Sequence, residues 1–356
     1  MKENNYNVIG VMSGTSLDGI DLAHVELTFS GTWKYKIITS ETIPYSAQWQ
    51  KLLSEAINFS SEKLNQLNED YTEYLAEVIS EFLSKNGIFD TNAICSHGHT
   101  IKHEPEKGIT LQIGNLPKLA DLLQQTVVCD FRSEDVEYGG QGAPLVPIGD
   151  ELLFGKYDYC LNLGGFANIS TSKEGKRIAY DICAVNTVLN WLSQKLNLEY
   201  DSGGKVAASG NLDHELLKQL EKIPFYEQEP PKSLGMEWVN EQILPLLMPK
   251  IDIPSALHTY VVHIGRQIGK QVKNGNLVVT GGGAFNSFLI SQIREHTNAK
   301  IIIPSADTVN YKEALIFAFL GVLKLRGEIN VYSSVTGASH DHSSGKIYYP
   351  GQTNNF

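Results

Sequence analysis

Short apolar runs that each empty into a glycine or acidic turn recur through both halves of this chain, and that repetition constrains the fold more than any other feature. Residues 8–12 run into Ser13-Gly14-Thr15-Ser16, and residues 20–27 return with alternating apolar side chains, the pattern of strand, tight turn and strand. Ala93-Ile94-Cys95 precedes Ser96-His97-Gly98-His99, and Val127-Val128-Cys129 precedes Asp130-Phe131-Arg132. In the second half Tyr159-Cys160-Leu161-Asn162-Leu163 empties into Gly164-Gly165, Ile178-Ala179-Tyr180 into Asp181, and Leu277-Val278-Val279-Thr280 into Gly281-Gly282-Gly283. Helical spacing stands between these runs: Leu64, Leu67, Tyr71, Leu75, Val78, Ile79 and Phe82 form one stripe that Gly87 stops, and further helices fit residues 186–195, 285–296 and 311–326. Strands alternating with helices imply α/β layers.

A length of 356 residues exceeds one ordinary core and predicts two domains. Gly139-Gly140-Gln141-Gly142-Ala143-Pro144 permits the backbone turns of a crossing between them. The expected division is 1–134 with a C-terminal helix and tail over about 311–356 as one domain, and 135–310 as the other. A formal net charge of −11, from 29 basic and 40 acidic residues, excludes a protein that grips nucleic acid through backbone phosphates. It leaves room for a nucleotide, because a local cradle of amides holds phosphates inside an acidic protein. Cys95, Cys129, Cys160 and Cys183 are widely spaced beside apolar runs and read as buried, reduced thiols. No apolar window reaches the length of a membrane span, and the N-terminal residues lack a signal sequence, so the expected setting is the cytoplasm, without membrane or nucleic acid partners.

Three glycine turns at strand ends, at Gly14, at Gly164-Gly165 and at Gly281-Gly282-Gly283, suit a nucleotide site to which two domains contribute, since glycine lets amides approach phosphate closely. Singly, each is also a plain hairpin or helix entry. The stretch Gly10-Val11-Met12-Ser13-Gly14-Thr15-Ser16-Leu17-Asp18-Gly19-Ile20-Asp21 resembles the N-terminal signature of the anhydro-N-acetylmuramic acid kinases. The resemblance continues through Ser96-His97-Gly98-His99-Thr100, Asp130-Phe131-Arg132, residues 139–145, Leu161-Asn162-Leu163-Gly164-Gly165, Pro230-Pro231-Lys232-Ser233 and Val335-Thr336-Gly337-Ala338, in order and rough spacing over nearly the whole chain.

The resemblance implies a two-domain actin-like (ribonuclease H-like) sugar-kinase fold with ATP in the interdomain cleft. It implies phosphorylation of O6 of 1,6-anhydro-N-acetylmuramic acid while water opens the anhydro bridge, giving N-acetylmuramic acid 6-phosphate for peptidoglycan recycling. On that basis Gly14, Thr15, Ser16, Leu17, Asp18, Gly19, Ile20 and Asp21 form a phosphate-binding hairpin, with Gly164, Gly165, Gly281, Gly282 and Gly283 as further ATP contacts. Asp18 places Mg²⁺ directly or through water, because an acid beside a polyphosphate requires a cation. Asp181 is the general base that takes a proton from the attacking water. His97, Thr100, Asp130, Arg132, Gln141 and Glu313 face the sugar, with Arg132 suited to the lactyl carboxylate by bidentate pairing. A homodimer is also implied.

Each assignment has a plainer competitor. Asp181 is placed to cap the helix beginning near Asn186, Arg132 to pair with Glu134 or Asp135, His97 to sit as a hydrogen-bonded core histidine, and Glu313 to be a solvated residue of a first helical turn. His97, His99 and His103 cluster without a cysteine or acidic ligand pattern, which speaks against zinc. The family motif continues Asp-Thr-Gly-Pro-Gly-Asn where this chain reads Asp181-Ile182-Cys183-Ala184-Val185-Asn186, and the loss of two glycines and a proline changes the dihedrals open to that segment. The competing functions are an actin-like kinase for another sugar and a catalytically weakened homologue that binds sugar or nucleotide.

Overall fold

The computed structural model describes residues 4–14, 16–249 and 252–352. Its strands form two sheets, one in each of two units: the first unit runs to Leu153 and resumes at Tyr311, and the second is Phe154–Asn310. In the first unit β1 (Asn5–Ser13), β2 (Gly19–Phe29) and β3 (Trp33–Pro44) form an antiparallel meander. On the other side of β1 lie β4 (Ala93–Glu104) and β6 (Val127–Cys129), both parallel, with β5 (Ile109–Ile113) folded back on β4. The second unit repeats this plan with the meander β7 (Tyr159–Leu163), β8 (Phe166–Lys173) and β9 (Lys176–Ala184), then β10 (Asn276–Thr280) and β11 (Lys300–Ile302) parallel to β7. The strand orders are β3-β2-β1-β4-β6 and β9-β8-β7-β10-β11, with β12 (Lys346–Tyr348) extending the first sheet antiparallel to β6. Two copies of a 3-2-1-4-5 mixed sheet are the ribonuclease H-like halves of a two-domain sugar-kinase fold.

In the first unit the helix Ser61–Lys85 starts where Ser60 Oγ accepts the amide of Lys63 at 3.3 Å. It buries the stripe from Leu64 to Phe82 against Ile9, Val11, Ile20 and Leu22 of β1 and β2. The opposite face of β1 receives the helix Lys312–Leu325, which is apolar nearly all round and buried accordingly. That helix comes so close that a Cβ on Gly10 would lie 1.9 Å from the carbonyl oxygen of Ala314, a backbone atom that cannot swing aside. Gly10→Ala is therefore expected to cost at least the roughly 1–3 kcal/mol of an overpacked core, read as a lowered midpoint in chemical denaturation. In the second unit Leu161, Leu163, Ala167, Ile169, Leu277 and Val279 point from the sheet into a core shared with the helix Ile253–Gln271. All four cysteines are buried.

Three expectations are corrected. The boundary between units lies at Leu153, not at 134. Residues 139–145 cross nothing, because Gly142 N donates to Asp135 Oδ2 at 2.6 Å, Gln141 N to Thr336 O at 2.8 Å, and Thr336 Oγ1 to Asp135 Oδ1 at 2.7 Å. Lys312 and Asp150, a nearly buried ion pair at 2.7 Å, hold the following segment to the same unit. Ser96-His97-Gly98-His99-Thr100 does not follow a strand end but lies within β4, and Asp181 likewise lies within β9. The strand continues past Asp181 because Ile182, Cys183, Ala184 and Val185 are apolar and fill the second unit's core.

Candidate active site

The turn between β1 and β2 is closed by the amide of Leu17 on the Gly14 carbonyl at 3.3 Å, with Leu17 in the left-handed region at φ 59°. Its side chain packs on the first core, which repays that backbone conformation. Gln50 Nε2 donates to the Leu17 carbonyl at 3.2 Å, and Ser16 Oγ donates to Asp18 Oδ1 at 2.7 Å. Thr15 lies outside the described residues. A Cβ on Gly14 would meet nothing nearer than Ser16 Oγ at 3.5 Å, so packing does not explain that glycine. Under the turn, Ser13 Oγ bonds Tyr45 OH at 2.6 Å and His99 Nδ1 at 2.7 Å, and Tyr45 OH bonds Tyr71 OH at 2.5 Å. Burial pulls His99 down to about 4, so this base of the hairpin is uncharged at neutral pH.

Asp21 stands on β2, opposite Met12 and Thr42, and accepts the Thr42 hydroxyl at 2.6 Å. Burial pushes its pKa up to about 6, the Thr42 hydroxyl opposes the shift, and the carboxylates of Asp18 and Glu313 add to it. The folded protein thus holds this proton more tightly than the unfolded chain. Stability from this group is lost as pH rises from about 4 to about 6 and is level above that. The stability difference between Asp21→Asn and wild type is expected to widen over that window in favour of the variant, by at most about 3 kcal/mol, measured by denaturant unfolding at each pH.

Arg132 donates through Nε to His97 Nε2 at 2.8 Å and through Nη1 to the Gly142 carbonyl at 2.5 Å. His97 gives its Nδ1 proton to the Gly98 carbonyl at 2.9 Å. It is buried, and burial, then the neighbouring guanidinium, drives its pKa well down. The core-histidine reading describes His97: it orients Arg132 and has no nitrogen left for a ligand. Arg132 is partly accessible, its Nη2 makes no hydrogen bond among the described residues, and it forms no ion pair with Glu134 or Asp135. Burial lowers its pKa to about 10, which leaves it cationic at neutral pH.

Glu313 opens the helix Lys312–Leu325 near this arginine. Burial raises its pKa, Arg132 and Lys312 pull it down, and the Asp18 carboxylate adds to the rise. Gln141 is exposed, with its backbone N–H donated to the Thr336 carbonyl. Thr100 accepts from Gln112 Nε2 at 3.3 Å. Asp130 has both oxygens engaged, one by Ser133 Oγ at 2.5 Å and one by Lys346 Nζ at 2.7 Å. Asp135, which the sequence offers only as a salt-bridge partner for Arg132, is fully buried, and through Gly142 it fixes the carbonyl that holds Arg132.

In the second unit Asp181 caps nothing. The helix Asn186–Gln194 has Val185 at its cap position, and its first amides are taken by the Gly164 and Gly165 carbonyls at 2.8–3.3 Å. Asp181 Oδ2 instead accepts the amide of Leu234 at 2.8 Å, and Asp181 N donates to the Lys232 carbonyl at 3.0 Å. Burial raises its pKa and the Leu234 amide opposes that. The register between β8 and β9 slips here, Ala167 facing Cys183 and Asn168 facing Asp181, so that Ile182 is an extra residue beside the acid. Bulges of this kind re-aim side chains at functional sites. Gly281 and Gly283 are explained by packing, since Cβ atoms there would lie 2.7 Å from Leu163 backbone carbon and Leu163 Cβ respectively, whereas Gly282 has no contact nearer than 3.7 Å.

Each of the two ribonuclease H-like sheets carries its own polar groups, and the first also an open glycine hairpin, which is the layout of a sugar-kinase-type phosphotransferase. The sequence model of the anhydro-N-acetylmuramic acid kinases matches residues 6–350, and the chain belongs to that family. It is 34% identical to the anhydro-N-acetylmuramic acid kinase of Pseudomonas syringae pv. tomato over 96% of this chain and 98% of that one. It is 32% identical to that of Sulfurimonas denitrificans over the same shares. Among solved structures, the activator of 2-hydroxyisocaproyl-CoA dehydratase from Clostridium difficile, with bound ADPNP, superposes at a TM-score of 0.46 and 12% identity over 90% of this chain and 96% of that one, too distant to bear on the site.

Proposed function

We propose that this protein transfers the γ-phosphoryl group of ATP to O6 of 1,6-anhydro-N-acetylmuramic acid as water opens the anhydro ring, in the recycling of peptidoglycan fragments. The observation that carries the reading is Asp181. It is a partly buried acid with one oxygen held by the Leu234 amide and the other without a hydrogen bond among the described residues, and burial raises its pKa. Water loses a proton to Asp181 as its oxygen bonds to C1, the C1–O6 bond breaks, and O6 takes the γ-phosphorus while the bond to the β-phosphate oxygen breaks. Arg132, aligned by His97 and Gly142, offers its remaining N–H groups to the lactyl carboxylate. Gln141, Thr100 and Glu313 are the polar groups left to meet sugar hydroxyls, while Asp130 acts by fixing the chain before Arg132.

In this reading the hairpin from Gly14 to Asp21 meets the phosphates, and the Gly164-Gly165 and Gly281-Gly282-Gly283 turns meet the rest of ATP, with Gly282 the one whose clearance leaves room for a ligand. A divalent cation fits the residues present. Asp18, Asp21 and Glu313 crowd negative charge at the hairpin, and among the described residues no group of three ligating side chains is placed to hold a metal. The crowded carboxylates would suit Mg²⁺ bound together with nucleotide phosphates, Asp18 holding it directly or through water, and the ion would supply neutralisation of phosphate charge. No helix among the described residues is long and apolar enough to cross a membrane. A cytoplasmic homodimer, as the family resemblance implies, completes the reading. Phosphorus NMR of the protein with Mg²⁺-ATP and the anhydro-sugar tests it: a sugar-phosphate signal that grows only when both are present supports the transfer, and ADP without that signal opposes it.

A further inference from the structure

A row of polar residues crosses the second sheet beside Asp181. Thr280 of β10 faces Asn162 of β7, Asn162 faces Asn168 of β8, and Asn168 faces Asp181 of β9. Residues directly opposite on neighbouring strands share a face, with Cβ atoms about 4.5–5.5 Å apart. The core of this unit takes the alternate positions Leu161, Leu163, Ala167 and Ile169, so the row lies on the other face. Thr280 spends its hydroxyl on the Leu161 carbonyl, 3.4 Å away. Asn162 and Asn168 are different: neither side chain makes a hydrogen bond among the described residues, and asparagine is a poor strand former that packing here does not require. Asn162 stands between the glycine turns, since a Cβ on Gly281 would lie 2.6 Å from its Oδ1 and one on Gly164 3.2 Å from its Nδ2.

The first unit carries the same device. Its registers place Met12, Asp21 and Thr42 in a row that corresponds, strand for strand, to Asn162, Asn168 and Asp181. The strand that follows each glycine hairpin thus presents a polar side chain at the same point, Asp21 in one sheet and Asn168 in the other.

We propose that Asn168 is a catalytic residue of the reaction described above: its amide oxygen accepts the second hydrogen of the attacking water while Asp181 takes the first, so that the water's lone pair is aimed at C1. This rests on the proposed function. The test is Asn168→Leu, which keeps the size, suits an exposed strand position and removes both polar atoms. Misaimed reactants typically cost about 10²-fold, so kcat is expected to fall roughly tenfold to a hundredfold, with the melting temperature and KM for ATP unchanged. A variant that melts as wild type and turns over at the wild-type rate overturns the role of Asn168 while the wild-type rate upholds the reaction. A wild-type protein that forms no sugar phosphate overturns both.

Discussion

Asp181→Asn is expected to lower the rate of product formation by about 10²–10⁴-fold, the range general-base catalysis supplies, while ATP binding is unchanged. The amide keeps an oxygen for the Leu234 N–H, so the variant's fold and melting temperature should match wild type. What it loses is the ability to take a proton. The same argument fixes a pH dependence: the base acts ionised and burial raises its pKa, so kcat/KM falls on acidification at a higher pH than an ordinary carboxylate would give. Near wild-type turnover in the variant would remove Asp181 from the chemistry.

Arg132→Leu is expected to raise KM for the anhydro-sugar by tenfold or more, since hydrogen bonds to charged groups are worth about 1.5–3 kcal/mol. KM for ATP should hold. Arg132→Lys should recover little, because a single ammonium cannot keep both His97 and Gly142 and still present a fork to a carboxylate. An anhydro-sugar without the lactyl group supplies the control: wild type should lose about as much on that substrate as the variant loses on the full one, and the variant should no longer tell the two apart. A variant that still discriminates would assign the lactyl contact elsewhere.

The strand and glycine-turn pattern was legible because strands of an α/β sheet are apolar runs with sharp ends, and β6 and β7 fall on the residues expected from it. The helix Ile253–Gln271 was not legible. Thr259, His263 and Gln267 are buried along it, which blurs the apolar stripe that marks a surface helix. The crossing was misplaced for a related reason: glycines over 139–145 signal a turn, but what they turn around is Asp135, and a Cβ on Gly140 would lie 2.2 Å from its Oδ2. A single buried carboxylate leaves no periodic trace.

At the site, the residue types were readable and their division of labour was not. His97 and Arg132 appear as two ligand candidates in sequence, yet in space one holds the other. In sequence Asp181 precedes a segment that lacks the family motif's two glycines and proline, whereas in space Ile182 to Ala184 continue the strand, Val185 joins the core, and the acid stays on its bulge. Asn162 and Asn168 emerge only from strand register, since nothing in a linear sequence shows which residues stand opposite one another.

The account depends on one site coupling ring opening to phosphoryl transfer, and the most direct test is mass spectrometry of the product formed from Mg²⁺-ATP and 1,6-anhydro-N-acetylmuramic acid in ¹⁸O-labelled water. The expected result is N-acetylmuramic acid 6-phosphate carrying one heavy oxygen at C1 and none in the phosphate. Heavy oxygen appearing instead in released inorganic phosphate, with the sugar unchanged, would contradict it.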